Sequence, residues 1–147
     1  MAMFNAVLLV CAGNICRSPT AEYLLIDKLA DSDIKVSSAG LTALVGKSPE
    51  VTASKISLSN GIDMSGHKGR QLSSALIAEN DLILVMEQRH LSDLLGRYPQ
   101  ARGKTFLLGK WLNDTEISDP YRQSHEAFEH VYQLIDKACT AWKKYLY

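Results

Sequence analysis

The arrangement of apolar residues constrains the fold of this 147-residue chain more strongly than any other feature. Short apolar runs of strand length alternate with longer segments in which apolar residues recur every three or four positions. The short runs predict four strands, at 6–10, 34–38, 82–86 and 104–108. The longer segments predict helices at 18–30, 49–60, 73–80, 87–98 and 124–145. This alternation predicts an α/β fold with a parallel sheet and helices on both of its faces.

Length and composition narrow the class of protein. The length suggests a single domain over residues 1–147, and 46% hydrophobic residues suffice for a buried core. Sixteen basic and sixteen acidic residues argue against general binding of nucleic acid or of a membrane surface. The longest apolar run, 6–12, is too short to cross a bilayer, and residues 1–5 lack the basic start of a signal peptide. We therefore expect a cytoplasmic protein that does not insert into membranes.

The segment between the first predicted strand and the first predicted helix carries the strongest chemical signal. It reads Cys11, Ala12, Gly13, Asn14, Ile15, Cys16, Arg17 and Ser18. Successive backbone N–H groups in such a loop can form an anion-binding nest, and the positive end of the following helix points at the same place. Arg17 can bind two phosphate oxygens with its planar fork. The same field favours the thiolate form of Cys11, an activated nucleophile beside a bound phosphate.

Ser18 and Asp119 complete the set of candidate active-site residues. Ser18 is a candidate cap for the first helix, and its hydroxyl can also donate to the Cys11 sulfur. A leaving alkoxide or phenoxide needs a proton, so a general acid is expected. Asp119, followed by Pro120 in the polar loop 109–123, lies at the correct edge of the predicted sheet. An Asp-Pro pair is also common in simple turns, and the dipeptide by itself leaves that alternative open.

Taken together, these motifs resemble the low-molecular-weight protein tyrosine phosphatases. The resemblance covers essentially the whole chain and rests on four segments in the family's order, 11–18, 38–40, 67–71 and 119–121. It implies a doubly wound, four-stranded parallel sheet with a phosphate-binding loop after the first strand. It also implies that Cys11 forms a phosphocysteine, that Arg17 clamps the phosphate, and that Asp119 protonates the leaving phenolate and then activates water. No metal or cofactor is expected.

The resemblance assigns further roles. A network that holds the strained loop backbone matches Asn14, Ser18, Ser38 and His67, although a surface histidine is the alternative reading of His67. Cys16 matches a position that can form a reversible disulfide with Cys11 and so protect it from overoxidation. A small packing residue is the alternative for Cys16.

Substrate recognition is expected from the walls of a deep cleft, where apolar groups grip the tyrosine ring. By position, Leu41 and Tyr121 are the candidate walls. Eukaryotic members tend to carry larger aromatic residues where Leu41 and Arg122 stand, and Arg122 predicts a preference for acidic residues beside the phosphotyrosine. Segments 43–47 and 119–122 resemble a bacterial branch acting on tyrosine autokinases of capsule and exopolysaccharide export. The implied partner is therefore a phosphotyrosine protein, namely a membrane tyrosine autokinase.

Three other functions fit part of the pattern. An arsenate reductase of the same fold would need relay cysteines after the third strand, but 85–90 contains none and Cys139 lies on the apolar face of the last helix, where we expect it in the core. A non-catalytic phosphate-binding module would not need both Cys11 and Asp119. A phosphatase for small metabolites would not need an aromatic cleft. The sequence therefore predicts a protein-tyrosine phosphatase.

Overall fold

The structure is a computed structural model that describes residues 4–146, so residues 1–3 and Tyr147 lie outside the description. Four strands form one parallel sheet: β1 (Ala6–Cys11), β2 (Lys35–Gly40), β3 (Leu82–Val85) and β4 (Thr105–Leu107). The strand order is β2-β1-β3-β4, so the chain leaves β1 first toward one edge and then toward the other. This reversal opens a crevice at the carboxyl end of β1. The expected doubly wound, four-stranded sheet is confirmed.

Within the described residues 4–146, five α-helices cover the two faces of the sheet: α1 (Arg17–Lys28), α2 (Val51–Ser59), α3 (Ser74–Glu79), α4 (Gln88–Arg97) and α5 (His125–Leu146). Side chains of β1 alternate between two separate cores. Val7 and Leu9 share one core with residues of α1, α2 and α5. Leu8 and Val10 share the other with residues of α3 and α4. Burial on both faces explains why β1 is continuously apolar rather than alternating.

The helix and strand ends differ from the sequence prediction by one or two residues in most places. The largest chemical difference is at α1, where Cys16 occupies the N-cap position without a side-chain cap hydrogen bond. Ser18 is therefore not the cap, because its buried hydroxyl contacts the Cys11 sulfur instead.

Two short 3-10 turns lie at Pro99–Ala101, between α4 and β4, and at Leu108–Trp111, which takes the last residue of the predicted strand 104–108 and the start of the predicted loop. The second turn shortens the predicted loop 109–123, and contacts with α5 hold it in place. Trp142 donates its indole N–H to the Leu108 carbonyl at 2.8 Å, and Trp111 stacks on Tyr145 with ring centroids 3.9 Å apart. No helix within residues 4–146 is both long enough and apolar enough to span a membrane.

Candidate active site

The loop after β1 turns its carbonyl groups away from the crevice. Each carbonyl from residue 11 to residue 16 accepts a hydrogen bond from the surrounding scaffold. The donors, in order, are the N–H groups of Leu41, Thr42 and Leu44, the His67 ring, the N–H of Glu50 and the N–H of Thr20. Since N–H and C=O point in opposite directions across a trans peptide, the N–H groups of residues 12–17 face the crevice. The loop is thus an anion nest around the Cys11 side chain.

Asn14 is the residue that bends this loop. It has a φ of 59°, in the left-handed region that non-glycine residues seldom adopt. Its amide oxygen accepts from the Arg70 backbone N–H at 2.8 Å, which orients its amide nitrogen toward the hydroxyls of Ser18 and Ser38, at 2.8 and 2.9 Å. His67 Nε2 lies 2.7 Å from the Asn14 carbonyl and donates to it. The structure brings together all four residues of the expected network.

The hydrogen-bond directions in this network have a consequence for the nucleophile. Ser18 Oγ accepts from Asn14, so its own proton is free to point at the Cys11 sulfur 2.9 Å away. A hydroxyl at this distance orients the sulfur within the nest. Cys11 therefore lies at the centre of the nest, with the Ser18 hydroxyl in a position to donate to its sulfur.

Arg17 lies at the start of α1 and is only 2% exposed. Its Nη1 donates to the Glu87 carboxylate and to the Ile117 carbonyl, the latter at 2.8 Å. Its Nη2 lies 3.8 Å from Asp119 Oδ2. One edge of the guanidinium is thus anchored while the rest faces the crevice. Sequence reasoning did not identify Glu87, which lies immediately before α4 at the carboxyl edge of β3.

Glu22 is a second carboxylate that sequence reasoning missed. Ser38 donates its hydroxyl to Glu22 Oε1 at 2.5 Å, and His67 Nδ1 lies 3.7 Å from the same oxygen. Burial raises the pKa of Glu22, although the Ser38 hydrogen bond and the nearby His67 and Arg70 act in the opposite direction. Glu22 therefore contacts both side chains that hold Asn14 from behind.

Asp119 approaches the crevice from the loop before α5. Its Oδ1 accepts from the Tyr121 backbone N–H at 3.0 Å, while Oδ2 faces Arg17. This turn is the one expected of an Asp-Pro pair, and it also places the second carboxylate oxygen over the crevice. The turn and the general-acid interpretations are therefore compatible.

The cleft has a volume of about 260 Å³. Beyond residues 11–17, its lining consists of Thr42, Leu44, Glu50, Asp119 and Tyr121. Tyr121, 48% exposed, stands where the sequence predicted a wall. The expectation for Leu41 is corrected, because Leu41 packs in the second core with 4% exposure and does not line the cleft. Leu44, three residues later and 48% exposed, takes that place.

The other two cysteines differ in their surroundings. Cys16 lies in the same loop as Cys11, and burial, followed by the charge of Cys11, raises the pKa of its thiol. It is therefore a poor competitor of Cys11 as a nucleophile. Cys139 is fully buried on α5, as expected for a core residue.

A buried cysteine in an anion nest, an anchored arginine and a carboxylate across the cleft define the class of cysteine-based phosphatases. The model of the family "Low molecular weight phosphotyrosine protein phosphatase" matches residues 6–147. The chain therefore belongs to this family, and the resemblance proposed from the sequence is confirmed.

Individual relatives agree with this assignment. The chain is similar to the low molecular weight protein-tyrosine-phosphatase Wzb of Escherichia coli (strain K12), with 47% identity over 98% of this chain and 97% of the relative. It is similar to the structure of the Erwinia amylovora tyrosine phosphatase AmsI, with a TM-score of 0.94, 44% identity, and coverage of 98% and 94%. It is also similar to Vibrio vulnificus Wzb in complex with benzylphosphonate, with a TM-score of 0.93, 49% identity, and coverage of 97% and 99%.

Proposed function

We propose that the protein-tyrosine phosphatase activity of this family is carried out here by Cys11, Arg17 and Asp119. The observation that carries the proposal is the outward orientation of every carbonyl from residue 11 to residue 16, which leaves the N–H groups to surround a phosphate above the Cys11 sulfur. The Cys11 thiolate attacks phosphorus, and the bond from phosphorus to the tyrosine oxygen breaks as the phosphocysteine forms. Arg17 and the nest bind the equatorial phosphate oxygens and stabilise their charge.

Asp119 acts twice in this scheme. Its protonated Oδ2 gives a proton to the departing phenolate, which leaves as tyrosine. The resulting carboxylate then accepts a proton from the water that attacks the phosphocysteine, so that the S–P bond breaks and inorganic phosphate is released. The hydrogen bond from the Tyr121 N–H to Oδ1 keeps Oδ2 as the oxygen available for both steps.

The experiment is hydrolysis of para-nitrophenyl phosphate and of a phosphotyrosine peptide in the presence of a metal chelator. We expect turnover by wild type, none by Cys11→Ser, and retained turnover by Cys139→Ala, whose cysteine lies in the core away from the cleft. Asp119→Asn should lose more activity on the peptide than on the nitrophenyl ester, because tyrosine is the poorer leaving group. No turnover by fully reduced wild type, or full turnover by Cys11→Ser, would contradict the proposal.

The partner we propose is a bacterial tyrosine autokinase of polysaccharide export, acting with this protein in the cytoplasm. Support comes from segments 43–47 and 119–122, which resemble the branch that acts on such kinases. The test is substrate trapping with Cys11→Ser in cells, followed by identification of the phosphotyrosine protein retained. Recovery of a phosphotyrosine protein other than such a kinase would contradict this assignment.

A further inference from the structure

Arg122 has a backbone conformation that is unusual for its residue type. Its φ of 64° lies in the left-handed region. Within residues 4–146, the other non-glycine residues with positive φ are Asn14, Asn113 and Asp114, whose short polar side chains tolerate this conformation. The long side chain of arginine does not favour this conformation. A residue in such a conformation persists only where the surrounding structure holds it. We therefore expect a contact of the Arg122 side chain to stabilise this turn.

The turn brings the side chain of Arg122 against that of Tyr121. Neighbouring side chains on extended backbone point to opposite sides, but here the guanidinium carbon of Arg122 lies 5.3 Å from the centroid of the Tyr121 ring. That distance is within the range of a cation–π contact. The left-handed turn thus folds Arg122 back over the residue that precedes it.

Tyr121 is the aromatic wall of the cleft and follows the proposed general acid by two residues. The turn that carries both is closed by its own hydrogen bonds. Tyr121 N–H donates to Asp119 Oδ1 at 3.0 Å, and Gln123 N–H donates to the Pro120 carbonyl at 2.9 Å. These bonds fix the backbone, but they leave the exposed Tyr121 ring free to rotate about its side-chain torsions. A cation held against the ring restricts that rotation.

We propose that Arg122 is a specificity-determining positioning residue that holds the Tyr121 ring as the wall for the phenyl group of the substrate. This inference rests on the proposed function and deepens it, because it assigns the preference for aryl phosphates to a pair of residues. On this view Arg122 acts through Tyr121, and its effect does not require acidic residues next to the phosphotyrosine.

The test compares two competitive inhibitors that differ by a phenyl ring, benzylphosphonate and methylphosphonate. Arg122→Asn removes the guanidinium while keeping a residue that tolerates positive φ. We expect its inhibition constant for benzylphosphonate to rise roughly two- to fivefold, the usual effect of an exposed cation–π contact. The constant for methylphosphonate should stay unchanged, because that ligand does not reach the wall. Arg122→Lys, which keeps the cation, should recover part of the benzylphosphonate affinity.

A second measurement separates a wall from general damage to the loop. In a Tyr121→Leu background, Arg122→Asn should have no further effect on benzylphosphonate. Any of three results would overturn the inference: equal weakening of both phosphonates, an unchanged benzylphosphonate constant, or a lysine variant no better than the asparagine variant. Both constants are measured as dissociation constants by calorimetric titration of the phosphonates, which needs no turnover, so this inference and the proposed function can fail separately.

Discussion

Replacing Glu87 with glutamine removes the carboxylate that pairs with Arg17 and keeps the size of the side chain. A hydrogen bond to a charged group contributes about 1.5–3 kcal/mol, and removal of one partner of a buried ion pair costs about 3–5 kcal/mol. Glutamine retains a carbonyl oxygen, and the Ile117 carbonyl still accepts from Arg17 Nη1 at 2.8 Å. We therefore expect Glu87→Gln to lower the free energy of unfolding by about 2 kcal/mol, near the low end of these ranges.

The pH dependence of this loss has a definite sign. Burial of Glu87 alone would raise its pKa, but hydrogen bonds from Arg89 and Arg17 hold it below the ordinary value of 4.5. A carboxyl group with a lowered pKa in the folded state contributes stability above its unfolded-state pKa, and that contribution is lost as the pH falls through its folded-state pKa. The difference between wild type and Glu87→Gln should therefore be complete at pH 7 and disappear as the pH falls below 4.5.

The assay is urea unfolding of both proteins at pH 7 and at acidic pH. Arg89→Gln is the matched control, because Arg89 contacts the same carboxylate but is 68% exposed. An exposed pair of this kind contributes at most about 1 kcal/mol, so the control should lose less than Glu87→Gln. Two results would show that Arg17 is held by something other than this carboxylate. One is an equal loss of unfolding free energy in Glu87→Gln and Arg89→Gln, and the other is a loss in Glu87→Gln that persists below pH 4.5.

Three further outcomes follow from the structure. Burial lowers the pKa of His90 from 6.5 to about 4. Wild type should therefore lose up to about 3 kcal/mol of unfolding free energy as the pH falls between these values, measured by urea unfolding. An equal loss in a His90→Asn variant over the same pH range would disprove this. Glu22→Gln weakens the acceptor behind the phosphate loop and should raise the inhibition constant of inorganic phosphate by about three- to tenfold, whereas a change below twofold would refute the role. A Cβ at position 40 would lie 2.6 Å from the Ala12 carbonyl oxygen, whereas one at position 96 meets no atom within 4 Å. Gly40→Ala should therefore lower kcat/KM at least about tenfold. Gly96→Ala should keep its activity and raise the free energy of unfolding by about 0.5–1 kcal/mol. Equal activities of the two variants would contradict the close approach at Gly40.

The sequence predicts the fold well because the relevant signals are local. A strand buried on both faces must be apolar at every position, so the run that forms β1 marks the centre of the sheet. The phosphate loop is likewise contiguous, because its nucleophile Cys11, its bend at Asn14 and its Arg17 all lie within residues 11–17. Strand ends are less well determined, because one more paired residue costs little. Sequence position alone therefore misplaced the wall, since β2 continues to Gly40 and directs Leu41 into the second core.

Both missed carboxylates have signals in the sequence, Glu87 in the order of the strands and Glu22 in its spacing along a helix. Glu87 follows the third strand, and a parallel sheet brings the carboxyl ends of neighbouring strands to one edge, where the phosphate loop also lies. Glu22 is four residues after Ser18 on α1, so the two share a helix face. A chain that buries an arginine and bends its backbone at an asparagine must supply acceptors for both. Glu87 and Glu22 supply these acceptors, since Glu87 accepts from Arg17 and Glu22 accepts from Ser38, which itself accepts from Asn14.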